Sequence, residues 1–268
     1  MFPPCAPFFG SGTAKRAGKA GPFAFDVGYA RGMSGTHGLY AENAYLRQFE
    51  ATVIGVEPED RRVALDRTAF FPGGGGQPHD LGSLGGLPVE SVARDGDLIW
   101  HVLGGALPAE GDRVEGQLDW ERRHALMRTH TGLHVLSAVI WRDHEAKVTG
   151  ASMEPLRGRM DFELEGLSAE LVREIEARVN EEVAADRPVR VDFLPREEAD
   201  RRPELIRTKV SLLPASITVV RTVEIEGLDL QADGGTHVAR TGEVGRVAIP
   251  EYKSKGRLNK RLQLSLSD

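Results

Sequence analysis

Asp119-Trp-Glu-Arg-Arg-His-Ala-Leu-Met-Arg128-Thr-His130-Thr-Gly-Leu-His134 is the stretch on which the fold turns. Before it the chain reads as short alternating segments; here the period becomes that of a helix. Trp120, Leu126, Met127, Leu133, Val135, Leu136, Val139 and Ile140 keep apolar groups on a broad stripe, with no Gly or Pro from Trp120 to Thr131. His130 and His134 are four residues apart, so a helix sets them on one face, a turn apart. Two imidazoles so placed can reach one ion at about 2.0–2.1 Å without bending the backbone. Gly132 costs this helix roughly 1 kcal/mol relative to Ala, which points to a close approach there. With 8 His in 268 residues, chance alone supplies about a quarter of such a pair, so the spacing by itself is weak. Thr131 stands where a zinc protease of this spacing needs Glu, which argues against peptide hydrolysis.

A second stretch, Asp233-Gly-Gly-Thr-His237-Val, lies about a hundred residues downstream. It follows Val219–Ile225, a β-branched run that reads as a buried strand, so His237 is expected on a loop beside a sheet. Gly234 and Gly235 let the backbone pass close to a ligand. Alone, the segment reads as a tight turn carrying a surface histidine. Together, the two stretches offer three imidazoles and one carboxylate, a donor set that suits zinc.

Composition sets limits on the rest. A chain of 268 residues suggests one large or two moderate domains. Its 40% hydrophobic and 28% charged residues are ordinary for a globular protein. The single cysteine, Cys5, excludes an internal disulfide framework and suits a reducing cytoplasm. No apolar run approaches the roughly 20 residues that span a bilayer, and no stretch has signal-peptide length. The net charge is −6; residues 1–35 carry four basic and one acidic group, leaving −9 elsewhere. Binding to a nucleic acid must then rest on a local patch. Lys253, Lys255, Arg257, Lys260 and Arg261 fall within nine residues and form the best candidate, extended by Arg122, Arg123 and Arg128. In a generic protein that cluster would be an exposed, solvated turn.

The organisation reads in three parts. Residues 1–35, rich in Gly, Ala, Pro and Phe, are expected to be disordered, with Met33 a candidate true start. From about 40 to 118, alternating segments at Phe49–Val56, Arg62–Asp66, Leu98–Leu103 and Arg113–Asp119 are separated by turn clusters and predict a small β-barrel. From 119 to 266 the helix is followed by a strand over Arg159–Glu165, a helix capped by Ser168, and strands over Val189–Leu194 and Ile217–Ile225. The class is α+β, with helices layered on a mainly antiparallel sheet. Gly73–Gly76 is no phosphate loop, because no Lys-Ser or Lys-Thr follows and Pro78 comes two residues later.

His130-Thr-Gly-Leu-His134, followed far downstream by Gly234-Gly-Thr-His237, resembles the editing domain shared by alanyl- and threonyl-tRNA synthetases. Leu65-Asp-Arg-Thr-Ala-Phe-Phe-Pro-Gly-Gly-Gly-Gly-Gln77-Pro-His-Asp80 looks like the glycine-rich segment of the preceding barrel, and Gln231 to Gly245 like the second metal motif. From about Tyr40 to Leu266 the chain is therefore similar to the free-standing alanyl-tRNA editing proteins of the AlaX type, medium form. The resemblance implies one zinc ion, held by His130, His134 and His237, and a trans-editing hydrolase. Its expected substrate is mischarged tRNA(Ala), carrying serine or glycine. It implies that Gln77 and glycine amides, Gly235 among them, orient the acylated ribose, and that Thr131, Thr149 and Thr236 form a polar wall. It implies neither ATP use nor ligation, since this chain has neither the length nor the motifs of an activation core.

One departure matters. The family's second metal motif commonly begins with Cys, and here that position is Asp233. Either the carboxylate coordinates at about 2.0–2.2 Å, or three histidines bind alone. No side chain in these motifs stands out as a general base, and His124, off the face of His130, is assigned to structure. The alternatives are a tRNA- or zinc-binding module without turnover, and a zinc hydrolase of another small ester.

Overall fold

The computed structural model describes residues 35–206 and 217–268, so the expected N-terminal tail and Met33 lie outside the described residues. The first part is all β. A two-residue strand β1 (His37–Gly38) pairs parallel with β4 (Arg67–Thr68). Strands β2 (Gln48–Glu57), β3 (Arg62–Leu65), β5 (Gly82–Leu84), β6 (Leu87–Asp95), β7 (Leu98–Leu103) and β8 (Arg113–Leu118) hydrogen-bond in the closed order β2-β3-β7-β6-β5-β8, every pair antiparallel. Alternation along β8, with Val114, Gly116 and Leu118 buried and their neighbours exposed, turns one set of side chains inward. Phe49, Val53, Leu65, Phe70, Ile99 and Leu103 form the centre of that core.

The second part is built around α1 (Trp120–His144). Asp119 caps it by accepting from Arg122 N at 3.1 Å, a contact of about 1 kcal/mol. Every residue from 129 to 140 is buried, so α1 is enclosed on all sides there and not amphipathic as its apolar stripe suggests. Gly132 explains part of this: a Cβ there would lie 3.3 Å from Val244 and 3.6 Å from Leu266, and the neighbouring elements close on the bare backbone.

Strands β9 (Val148–Glu154) and β10 (Arg157–Glu163) follow, then α2 (Ala169–Ala184), whose Ser168 cap accepts from Leu171 N. Strand β11 (Val189–Pro195), the short α3 (Arg196–Ala199), β12 (Val219–Ile225) and β13 (Asp229–Ala232) come next, and β14 (Arg246–Ser254) and β15 (Asn259–Ser267) end the chain. Two antiparallel sheets result, of order β14-β15-β10-β9 and β11-β12-β13. The structure is thus mixed α+β with mainly antiparallel sheets. The strand expected over Arg159–Glu165 begins and ends two residues earlier, and the basic segment from Lys253 to Arg261 forms the tip of the β14–β15 hairpin, its turn at 255–258 and the adjoining strand ends. No helix among the described residues is long and apolar enough to cross a membrane.

Arg123, on α1, ties the two parts together. Fully buried, it pairs with Asp80 and donates to Ala44 O at 2.9 Å and to Ala69 O at 2.6 Å. It is therefore a strut inside the protein and not part of an exposed basic surface.

Candidate metal centre

Helix α1 brings His130 and His134 to one side, and the loop after β13 brings Asp233 and His237 to meet them. One ligand atom from each lies within 4.8 Å of all the others, and all four residues are buried. The Asp233 carboxylate is central: Oδ1 is 3.5 Å from His130 Nε2 and 3.9 Å from His134 Nε2, and Oδ2 is 2.9 Å from His237 Nε2. A tetrahedral ion with bonds of about 2.0–2.1 Å sets its donors about 3.3 Å apart. The four groups need only small side-chain adjustments to reach that spacing.

The outward nitrogens show how the rings are aimed. His130 Nδ1 meets Gln77 Oε1 at 3.0 Å, and His237 Nδ1 meets Thr131 Oγ1 at 3.1 Å. His134 Nδ1 faces Asp229 Oδ2 at 3.5 Å. Each Nδ1 thus has a polar oxygen behind it and each Nε2 points to Asp233, the orientation that supports imidazole ligands in metal sites. The donor set and its backing fit a divalent ion such as zinc.

Electrostatics agree. Burial lowers His130 well below its ordinary value, although Asp233 opposes this. Burial likewise lowers His237 to about 4, against its hydrogen bond with Asp233. For His134 burial acts downward, but the carboxylates of Asp229 and Asp233 outweigh it and the net shift is upward. Burial would raise Asp233, yet the surrounding imidazoles, His130 foremost, hold it well below the usual carboxylate range. At neutral pH His130 and His237 are therefore neutral donors facing an anionic oxygen. Arg221, itself buried, donates to Asp233 O at 2.8 Å and lies 3.8 Å from its Oδ2, balancing part of that charge.

The loop geometry depends on Gly235. A Cβ there would sit 2.3 Å from His130 Cε1 and 2.8 Å from Gln77 Oε1, so no side chain fits. Asp233 Oδ2 accepts from Gly235 N at 2.7 Å, and Gln77 locks Thr236 twice, accepting from its amide at 3.1 Å and donating to its hydroxyl at 2.8 Å.

Gln77, Thr131 and Thr236 are thus placed as supports of the ligands rather than on an open wall. Thr149, on β9, keeps a buried Oγ1 with no hydrogen-bond partner among the described residues. A pocket of about 40 Å³ adjoins the ligands, lined by His130, His134 and Asp233 together with Gly75, Leu133, Ser137, Val148, Met153, Met160 and Gln231. The sequence reading missed Ser137, Asp229, Gln231 and Arg221, because they reach the centre only through helix turn and strand register. Within the basic segment, Lys260 is buried and donates to Gly256 O and Arg257 O, and Arg261 grips Asp161 at 2.6 and 2.7 Å. Lys253 is exposed, and Arg257 is 89% exposed at the hairpin tip.

Fold and centre together define a protein of mixed α+β architecture with a buried three-histidine, one-aspartate site able to hold a metal ion. The family model "Threonyl and Alanyl tRNA synthetase second additional domain" matches residues 220–263. "Alanyl-tRNA editing protein AlaX-M" of Methanosarcina mazei is 38% identical over 245 residues, spanning 87% of this chain and 97% of that protein. The protein of the same name from Saccharolobus solfataricus is 35% identical over 236 residues, 85% of this chain and 97% of that one. "Alanine--tRNA ligase" of Pyrobaculum aerophilum is 41% identical over 229 residues, which cover 81% of this chain but 25% of that longer protein. The chain belongs to the AlaX-M family of alanyl-tRNA editing proteins.

Proposed function

We propose that this chain is a zinc-dependent trans-editing deacylase. It hydrolyses the ester joining a wrong amino acid, serine foremost and glycine second, to the 3′ end of tRNA(Ala), in the cytoplasm and without ATP. In this reading residues 40–118 form a barrel domain carrying the glycine-rich loop, and 119–266 form the editing domain. The observation that carries it is the convergence of His130, His134, Asp233 and His237 on one buried point.

Zinc held there supplies Lewis acidity toward an ester carbonyl. The chain's own residues do the rest. Gln77, Thr131 and Asp229 fix the orientation of the three imidazoles, and the oxygen of Asp233 takes the place of a thiolate. The adjoining pocket of about 40 Å³ has room for roughly three water molecules, and so for only a few heavy atoms, which favours a small amino acid. Thr149, next to the pocket-lining Val148 on β9, keeps a buried hydroxyl without a partner among the described residues; in this reading it meets a serine hydroxyl, and alanine would leave it unmet. Lys253, Lys255, Arg257, Lys260 and Arg261 belong to the RNA-binding side of this reading, Lys253 and Arg257 as contacts and Lys260 and Arg261 as braces of the hairpin.

The test is deacylation of Ser-, Gly- and Ala-tRNA(Ala), with and without chelator. Metal-dependent turnover of the first two, with Ala-tRNA(Ala) spared, is expected. Binding without turnover would mark an inactive module, and turnover of free esters alone a hydrolase of another class.

A further inference from the structure

The outer face of the β14-β15-β10-β9 sheet carries a charge pattern that the segment around residue 257 does not reveal by itself. Strand register sets Lys253, Arg261, Asp161 and Gly150 in one row across the sheet, and Glu251, Gln263, Arg159 and Ser152 in the next. A third row holds Ala248, Ser265, Arg157 and Glu154. A single carboxylate, Asp161, is shared by Arg261 at 2.6 Å, Lys255 at 3.7 Å and Arg159 at 3.8 Å. One anion among three cations leaves an excess of positive charge at its centre. Glu251, the acid of the second row, is engaged by Gln263 Nε2 at 2.6 Å. Counting Lys253, Lys255, Arg157, Arg159, Arg246 and Arg261 against Asp161, Glu154, Glu163 and Glu251, six cations against four acids, the face is positive in a chain of net charge −6.

The face is also shaped. A trough of about 580 Å³ runs over it, its walls carrying the cations Arg157 and Arg159 and the acids Glu154 and Glu251, with Gln263 and Ser265 between; Lys253 stands outside it. Its frame is rigid: the Lys260 ammonium, turned to the opposite face, braces the hairpin turn through two carbonyls. Strand β9 separates the trough from the pocket beside the ligands. Ser152 and Glu154 point to the trough, Ala151 lines the pocket, and Met153 borders both. The free edge of β9 meets the glycine-rich loop, where Met153 N donates to Gly76 O at 3.0 Å.

We propose that this sheet face is the docking surface for the phosphodiester backbone of the tRNA substrate, with Arg157, Arg159 and Lys253 as the phosphate contacts. The inference rests on the deacylase reading for the identity of the RNA. The excess of cations belongs to the face as a whole, since within the trough Glu154 and Glu251 offset Arg157 and Arg159, with Glu251 held by Gln263. Guanidinium and ammonium groups among Ser and Gln side chains suit phosphates and 2′-hydroxyls, the groups by which RNA is held independently of sequence. The placement leaves one strand between the docked backbone and the pocket for the acylated end.

The experiment titrates labelled, uncharged tRNA(Ala) against the full chain over a range of salt, by fluorescence anisotropy. Because no ester is present, the result stands whether or not the protein deacylates. Each phosphate contact removed lowers the slope of log K against log[salt] by about 0.7–0.9. The Arg157→Gln, Arg159→Gln, Lys253→Gln triple variant is therefore expected to lose about two units or more of slope and to bind at least about tenfold more weakly at low salt. Arg173→Gln, an exposed cation on α2, serves as the control and is expected to keep the native slope. An unchanged slope in the triple variant, or equal losses in the control, would overturn the assignment. So would a change of oligomeric state in the triple variant by sedimentation, which would make the face a contact between copies of this chain.

Discussion

Replacing Gly235 by alanine tests the metal centre at its tightest point. The added Cβ would lie 2.3 Å from His130 Cε1, 2.4 Å from its Nδ1 and 2.8 Å from Gln77 Oε1. Carbon contacts settle near 3.5 Å, so the ring must retreat by roughly 1 Å. Coordination tolerates only about 0.2 Å, and His130 then drops out of the donor set while its bond to Gln77 breaks. Overpacking of this kind costs about 1–3 kcal/mol, which in zinc affinity is a loss of roughly 5- to 150-fold. Zinc titration against a competing chelator reads the affinity, and the melting of the metal-free protein separates centre from fold. Zinc affinity within about twofold of the native protein would show that the loop yields freely and refute the reasoning.

Other outcomes follow from the same geometry. Asp233→Ala is expected to weaken zinc binding beyond the roughly 10- to 100-fold typical of supporting residues; unchanged stoichiometry and affinity by equilibrium dialysis would remove Asp233 from the donor set. Asp80→Ala strands the buried guanidinium of Arg123 and should destabilise the fold by about 3–5 kcal/mol in denaturant titration, a loss that a merely superficial pair would not show. Burial lowers His101 to about 4, below its ordinary 6.5. The unfolded chain therefore takes up that proton first: the contribution of the neutral ring is intact above about pH 6.5 and declines by roughly 3 kcal/mol as pH falls toward 4. With chelator present, His101→Gln should flatten this acid limb, and parallel stability curves for the two proteins would count against it.

The legible parts of the chain were those with a local period or a short-range constraint. The helix at Trp120, the strand at Leu98–Leu103 and the Ser168 cap could be read because apolar spacing and capping are properties of a few adjacent residues. His130, His134, Asp233 and His237 were found as two local motifs, and only their resemblance to a known pattern suggested that they meet. Asp229 was invisible, because it reaches His134 through the position of β13 beside α1. Lys260 was misjudged for a related reason: a lysine in a basic run reads as solvated, yet its place opposite Phe162 on the inner face turns its ammonium back onto the hairpin turn. The enclosure of α1 was equally hidden, since a stripe records one packed face and not a second layer closing over the other.

Gln77 precedes His130 by 53 positions, yet its amide clasps both that ring and the loop of His237. The cation's seat is thus a keystone shared by three remote stretches of chain. An unfolded polypeptide retains only the neighbouring pair of histidines, so almost all of the affinity belongs to the native form. Thermodynamic linkage then makes occupancy a measure of integrity: at a free ion concentration a hundred times the dissociation constant, the native state gains about 2.7 kcal/mol. Starving such a protein of its ion would silence the centre and loosen the whole molecule together.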